Sequence, residues 1–314
     1  MENIIFGPIP SRRLGKSLGI NNIPHKVCSY SCAYCQVGKA VKMQIERQEF
    51  YPIDIIIGQL EKKLNSLNTK DFPDYITIVP DGEPTLDIQL GKLIKKLKLF
   101  GFPVAVITNS TLIGRKDVQD ELMQADYVSI KVDTVNYDSW KLVNKPHKDL
   151  NIISILNDIK NFSEKFKGKL VTESMLLKGL NDSKEELETL AQYLQKINPN
   201  IAYIAIPTRP PAFEGIFPAN EAAVTLAYEI FSSHKLEAEL LTGYEGNAFA
   251  SSGNFTDDIL SITAVHPMRK DAVMELMSKS NATLESLNFL INKGLIKKIN
   301  FNNKEYFLRK FIHD

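Results

Sequence analysis

Cysteine is scarce in this chain. There are three in 314 residues, all in the segment Cys28-Ser-Tyr-Ser-Cys32-Ala-Tyr-Cys35. An odd number of thiols, with no basic-then-apolar leader ahead of them, argues against a disulfide framework. Long apolar runs are missing as well. No stretch is long enough to span a bilayer, so the chain is expected in the cytoplasm and off the membrane. Charge of one sign is also lacking. Lys and Arg number 38 against 37 Asp and Glu, a net +1, which leaves no global electrostatic case for a polyanionic partner. No internal repeat or low-complexity segment occurs. What is present is a 44% hydrophobic chain, long enough for a full core and a second small domain. Composition says nothing of oligomeric state.

The CxxxCxxC spacing puts three thiols on one short loop. Three thiolates so placed can hold three irons of a [4Fe–4S] cube and leave the fourth iron without a protein ligand, open to a small molecule. A zinc site with His25 as fourth ligand is the alternative. Packing as small hydrophobes would not need such clustering, with Ser29, Ser31 and Gln36 around it.

The middle of the chain alternates strands and helices. Tyr75–Val79, Val104–Ile107, Tyr127–Ile130, Leu170–Leu176 and Ile201–Ile206 read as short buried strands, with a first strand near Leu18–Ile23. Between them, Ile53, Ile56, Ile57, Leu60, Leu64 and Leu67 form one apolar helix face. Leu93, Leu97 and Phe100 form another. Ser183 with Glu186 makes a capping-box start, and a helix fits Asn220–Phe231. About six β/α units imply a parallel sheet. Six are too few for a closed eight-fold barrel, so an open partial barrel is expected, with a doubly wound sheet as its rival. Polar residues gather where strands end: Asp81, Gly82 and Glu83; Asn109 and Ser110; Lys131 and Asp133; Arg209. Glu173 lies inside the fifth strand. The C-terminal rim is where such barrels place their chemistry.

Cys28, Cys32 and Cys35, with Tyr34 before the last, resemble the signature of the radical S-adenosylmethionine (radical SAM) superfamily. Gly82-Glu83-Pro84 resembles its GGEP motif, with Asp81 in place of the first glycine. The resemblance implies a partial (β/α)6 barrel and a [4Fe–4S] cluster held by Cys28, Cys32 and Cys35. It implies S-adenosylmethionine (SAM) chelated on the open iron and cleaved, by one electron, to a 5′-deoxyadenosyl radical. It implies SAM contacts from Tyr34, Asp81, Gly82, Glu83, Asn109, Ser110, Asp133 and Glu173, catalytic roles for Lys131 and Asp133, and an electron donor such as flavodoxin or ferredoxin. Gly7–Gly19, Gly82–Leu86, Leu177–Asp182, Thr208–Pro211 and Gly243–Asn247 are similar to the branch related to wyosine-tRNA synthases. Those enzymes hold a second cluster on three further cysteines, which this chain lacks. Arg12, Arg13, Arg209, Tyr244 and Glu245 are the substrate-side candidates.

After Gly253 the pattern changes. Helices are expected from Thr256 to Ile262, Met268 to Met277 and Ala282 to Asn292, then a hairpin turning at Asn302-Asn303. Residues 254–314 thus look like a small winged helix-turn-helix domain behind a barrel of residues 1–253. The third helix carries one basic and one acidic residue, so duplex-DNA reading by that helix is not expected. Modification of a tRNA nucleoside is the first expectation, from the branch resembled. A glycyl-radical activase, or radical modification of a small metabolite or peptide, is the alternative. A zinc-binding winged-helix regulator is the reading from another class.

Overall fold

The computed structural model describes residues 4–243, 246, 247 and 249–310. An eight-stranded sheet forms the larger part. It runs in chain order through β1 (Ile5–Ser11), β2 (Gly15–Ile20), β3 (Tyr75–Ile78), β4 (Val104–Thr108), β5 (Tyr127–Lys131), β6 (Lys169–Met175), β7 (Ile201–Ala205) and β8 (Ala238–Leu241). From β2 to β8 every neighbouring pair is parallel. The sheet curls into an open partial barrel, and β2–β7 are the six expected strands.

Two strands were not expected. β1 pairs antiparallel with β2 at one edge. It contains Pro8 and Pro10, which cannot donate to a ladder, and an edge is where a strand tolerates them. Gly19 sits opposite Phe6, and a Cβ there would lie 2.0 Å from the ring. β8 is a four-residue strand at the other edge.

Strand parity separates two faces. Val104, Val106, Val128, Leu170, Ala202 and Ile204 point outward into the main core, under the helices. Ala105, Tyr127, Val171, Tyr203 and Ala205 point inward with Leu14 and Leu241. By the same parity Lys131 and Glu173 face inward, and register makes them direct neighbours. The crossover helices are α1 (Ile53–Ser66), α2 (Leu90–Lys98), α3 (Lys116–Leu122), α4 (Tyr137–Val143), α5 (Ile152–Ser163), α6 (Lys184–Ile197) and α7 (Glu221–Ser233). Ser183 caps α6 by accepting from the Glu186 amide at 3.3 Å. The reciprocal half of the box is absent: the Glu186 carboxylate instead accepts from Thr134 and Ser139 at 2.7 and 2.6 Å.

The C-terminal part comprises α8 (Phe255–Val265), β9 (Met268–Arg269), α9 (Lys270–Lys279), α10 (Leu284–Asn292), β10 (Ile296–Phe301) and β11 (Lys304–Arg309), with sheet order β9-β11-β10. Asn254, not Thr256, caps α8. Met268 belongs to a short strand rather than to the second helix, which shifts that helix to start at Lys270. Phe255, Ile259, Met268, Leu276, Leu290 and Phe307 belong to a core of its own. This unit packs on the barrel: Lys63 of α1 pairs with Asp258 at 3.1 Å, and the Ala250 amide donates to the Pro8 carbonyl at 3.0 Å. Among the described residues no helix is long and apolar enough to cross a membrane.

Candidate active site

The cysteine loop leaves β2 and crosses the C-terminal ends of the strands. A two-residue parallel bridge, Val27–Cys28 with Lys42–Met43, fixes its start. The Glu83 amide donates to the Val27 carbonyl at 3.2 Å. Gly82 is required there, because a Cβ would sit 2.0 Å from that same carbonyl oxygen. The Trp140 indole donates to the Tyr30 hydroxyl at 2.7 Å and anchors the middle of the loop.

All three cysteines line one cavity of about 350 Å³ at the strand ends. Each sulfur has its own N–H donor: Asn109 Nδ2 at 3.5 Å from Cys28, Asn144 Nδ2 at 3.6 Å from Cys32, and Lys26 Nζ at 3.1 Å from Cys35. Such donors favour thiolates. Burial, with Glu83 nearby, pushes the Cys28 thiol up to about 12. Burial, with Asp133, pushes Cys32 up also. A cationic group is what would bring these sulfurs to thiolates. Among the described residues no three His, Cys, Asp or Glu side chains gather closely enough to share one metal ion. The three thiols line one cavity, each beside an N–H donor, a donor set of the kind a cluster needs. His25, the alternative zinc ligand, turns its Nδ1 onto Asp81 Oδ2 at 2.5 Å.

The residues expected around SAM each have a definite place. Glu83 is buried and accepts from Thr85 N at 3.1 Å, Thr85 Oγ1 and Thr108 Oγ1 at 2.6 Å each, and Asn109 N at 2.8 Å. Burial raises its carboxyl above the ordinary range, against those four bonds. It welds the β3 loop to the end of β4 and also lines the cavity. Asn109 lines the cavity and bridges Cys28 to Ser29. Ser110 lies behind it with φ 68°, a conformation L-residues seldom adopt, and its buried hydroxyl has no hydrogen-bond partner among the described residues. Asp81 is turned toward His25, away from the cavity lining.

Asp133 is buried and fully engaged. It accepts from the Tyr34 hydroxyl at 2.5 Å, Asn144 Nδ2 at 2.6 Å and the Met175 amide at 2.8 Å. Lys131 and Arg13 both pair with Glu173, and all three line the cavity. Burial works to raise the Glu173 carboxyl, but Arg13 and Lys131 outweigh it and bring it down to about 2. Burial likewise opposes the Lys131 charge, and Glu173 with Asp133 reverses this, so its pKa is raised. The Lys131 ammonium also stands 4.9 Å from the centre of the Tyr34 ring.

Arg12 donates to the Gly243 carbonyl at 2.7 Å. Arg209 reaches Gln36 Oε1 and His266 Nε2, each at 2.6 Å. Tyr244 and Glu245 lie outside the described residues. Arg12, Arg13 and Arg209 are thus brought to one cavity. The cavity also takes in residues the sequence reading gave no site role, Gln36, Val265 and His266 among them. Gln36, next to Cys35, donates to the Val265 carbonyl at 3.1 Å, and Val265 and His266 come from the C-terminal unit. Burial first, then the Arg209 charge, holds His266 well below its ordinary pKa, so its ring is neutral and accepts from Arg209. The Tyr306 hydroxyl donates to the Thr208 carbonyl at 2.9 Å, a second tie between C-terminal unit and rim. Only the position of Gln36 after the last cysteine could have signalled this contact.

The sequence model of the Radical SAM superfamily matches residues 22–194. A UPF0026 protein of Methanocaldococcus jannaschii is 44% identical over 308 residues, covering 98% of this chain and 96% of its own length. A UPF0026 protein of Helicobacter pylori is 38% identical over 216 residues, covering 67% of this chain and 68% of its own. Among solved structures, TYW1 with a lysine-pyruvate adduct bound superposes with a TM-score of 0.53 at 17% identity, over 70% of this chain and 75% of that one, a likeness of fold.

Proposed function

This chain belongs to the radical SAM superfamily, and from that membership we propose that it binds a [4Fe–4S] cluster and SAM in the strand-end cavity and modifies a tRNA nucleoside. The observation that carries the reading is the convergence of Cys28, Cys32 and Cys35 on one cavity, each sulfur with an N–H donor. With cluster and SAM bound, one-electron cleavage of SAM supplies a 5′-deoxyadenosyl radical that removes a hydrogen atom from the substrate.

The chain's own residues hold and shield. Cys28, Cys32 and Cys35 are the ligands. Asn109 and the Gly82–Glu83 backbone line the pocket for SAM, and Glu83 keeps the two loops in register. Lys131 retains its proton because Glu173 and Asp133 stabilise it, so it acts as a fixed cation and not as a base. Asp133 acts through Tyr34 as a positioning residue. Arg12, Arg13 and Arg209 give the cavity a cationic side suited to an anionic substrate group. The tRNA assignment draws on the branch resembled at the sequence level. A small-metabolite substrate is the second reading, favoured by Val265 and His266, which wall the cavity from the C-terminal side.

The test is anaerobic. The protein is reconstituted with iron and sulfide, given SAM and dithionite, and assayed for 5′-deoxyadenosine beside Cys32→Ala. Product from the wild type alone is expected, rising when unmodified tRNA is added, with a new nucleoside mass after nuclease digestion. Turnover on a metabolite extract with unchanged tRNA would move the assignment to the second reading. A well-formed cluster that never cleaves SAM with any of these would overturn both.

A further inference from the structure

The function proposed above needs one electron from outside the molecule, and the outer side of the cysteine loop offers a place to receive it. The residues flanking Cys32 are tied by backbone hydrogen bonds to two half-buried residues, Lys145 and Phe213. Ser31 N donates to the Lys145 carbonyl at 3.1 Å, and the Ala33 carbonyl accepts from Phe213 N at 3.3 Å. Ser31 Oγ accepts from the amide of Ala40, next to Lys39, at 3.1 Å. The Phe213 side chain packs in the small apolar cluster that also takes in Cys32. Over the Phe213 ring stand two ammonium groups, Lys39 Nζ at 4.5 Å and Lys145 Nζ at 4.8 Å from its centre. Among the described residues neither lysine pairs with a carboxylate. None of the three lines the cavity.

The surroundings extend the pattern. On α4, Lys141 stands 4.6 Å from the centre of the exposed Tyr137 ring. Lys178 and Lys148 are exposed nearby in sequence to Leu177 and His147, residues adjoining the loop. The acids in these segments are Glu214, Asp138, Asp182, which accepts from the Gly179 amide at 2.7 Å, and Asp149, set 3.6 Å from His147. Lysines outnumber them, although the chain as a whole is nearly neutral. Two like charges held over one ring repel each other, and an acidic partner relieves that repulsion while the ring supplies apolar contact.

We propose that Lys39 and Lys145 over Phe213 form the docking platform for an acidic one-electron carrier protein, which reduces the group held by Cys28, Cys32 and Cys35 through the backbone around Cys32. The proposal rests on the function stated above. The carrier gives up one electron and leaves oxidised by one; the site gains one; no bond forms or breaks between the two proteins. Electron-transfer encounters of this kind bury little area and depend on charge, so the contact is weak and salt-sensitive.

The test has two arms. Binding of oxidised flavodoxin, and separately of a low-potential ferredoxin, is measured by calorimetry on the cluster-loaded protein at low and moderate salt. The rate of 5′-deoxyadenosine formation is then measured with the reduced carrier and, in parallel, with dithionite. Lys39→Glu/Lys145→Glu should weaken carrier binding roughly tenfold or more and slow the carrier-driven rate alike, while leaving the dithionite-driven rate unchanged. Lys92→Glu/Lys95→Glu, on the exposed side of α2, should change neither. Binding of neither carrier to the wild type, equal loss from the α2 variant, or wild-type binding by Lys39→Glu/Lys145→Glu would each overturn the proposal. Failure of the dithionite reaction in the wild type would instead strike the proposed function, and the binding arm would still decide the docking site.

Discussion

Glu173 shows how much a strand position can be asked to do. It stands on the inward face of β6, opposite Lys131 in register, and takes charge from Arg13 across the cavity. Its folded pKa, about 2, lies below the ordinary 4.5. A depressed carboxyl contributes stability that is complete above its unfolded pKa and is lost as pH falls through the folded one. Wild type should therefore lose unfolding free energy between about pH 4.5 and about 2 that Glu173→Gln does not lose, by an amount on the order of a few kcal/mol. Urea denaturation of both proteins across that range checks this; parallel curves would refute it. The sequence put Lys131 and Asp133 at a strand end and Glu173 inside the next strand, where the structure has them, because strand parity and strand ends are local properties. It could not show that Asp133 and Glu83 are fully occupied by protein donors. Those bonds come from Asn144, Met175, Thr85 and Thr108, whose approach depends on how whole loops fold.

At the scale of elements, legibility followed chemistry. The β10–β11 turn was readable since Asn302 and Asn303 both tolerate positive φ, and they hold 48° and 58°. Replacing both by alanine should cost roughly 2 kcal/mol or more, since a Cβ-bearing residue without a short polar side chain pays about 1–2 kcal/mol in that region. Thermal unfolding should show the loss, and Asn303→Gly should not. The two edge strands were missed for opposite reasons. β1 hides behind two prolines and a bulge between Phe6 and Ile9. β8 is short, and Glu239 and Leu240 are exposed within it, so it lacks the alternation that marks a buried strand. Helices were legible where one apolar face was long, as in α1, and not where a short helix such as α4 buries only Ser139, Trp140 and Val143.

At the scale of the molecule, the attachment of the C-terminal unit was beyond the sequence, since nothing in the periodicity of α8 says what it packs against. Asp258 is central to it. This buried carboxylate accepts from Ser252 N at 2.7 Å, Ser252 Oγ at 2.9 Å, Ser251 Oγ at 3.0 Å and Lys63 Nζ at 3.1 Å. Asp258→Ala strands Lys63 and three donors, a loss of roughly 3 kcal/mol or more. Hydrogen exchange should then quicken in α8–α10 while β3–β6 keep their protection; uniform quickening would mean that the two parts unfold as one.

The wall formed by Val265 and His266 has a meaning in time as well as in space. These residues are synthesised after every strand of the barrel and after all three cysteines. Domains made earlier tend to fold earlier. A nascent chain would thus pass through a stage in which the cysteine loop is complete and its cavity still stands open on the side the C-terminal unit later covers. The residues that wall the cavity from that side are thus the last of its lining to arrive, well after the loop whose sulfurs they help to enclose.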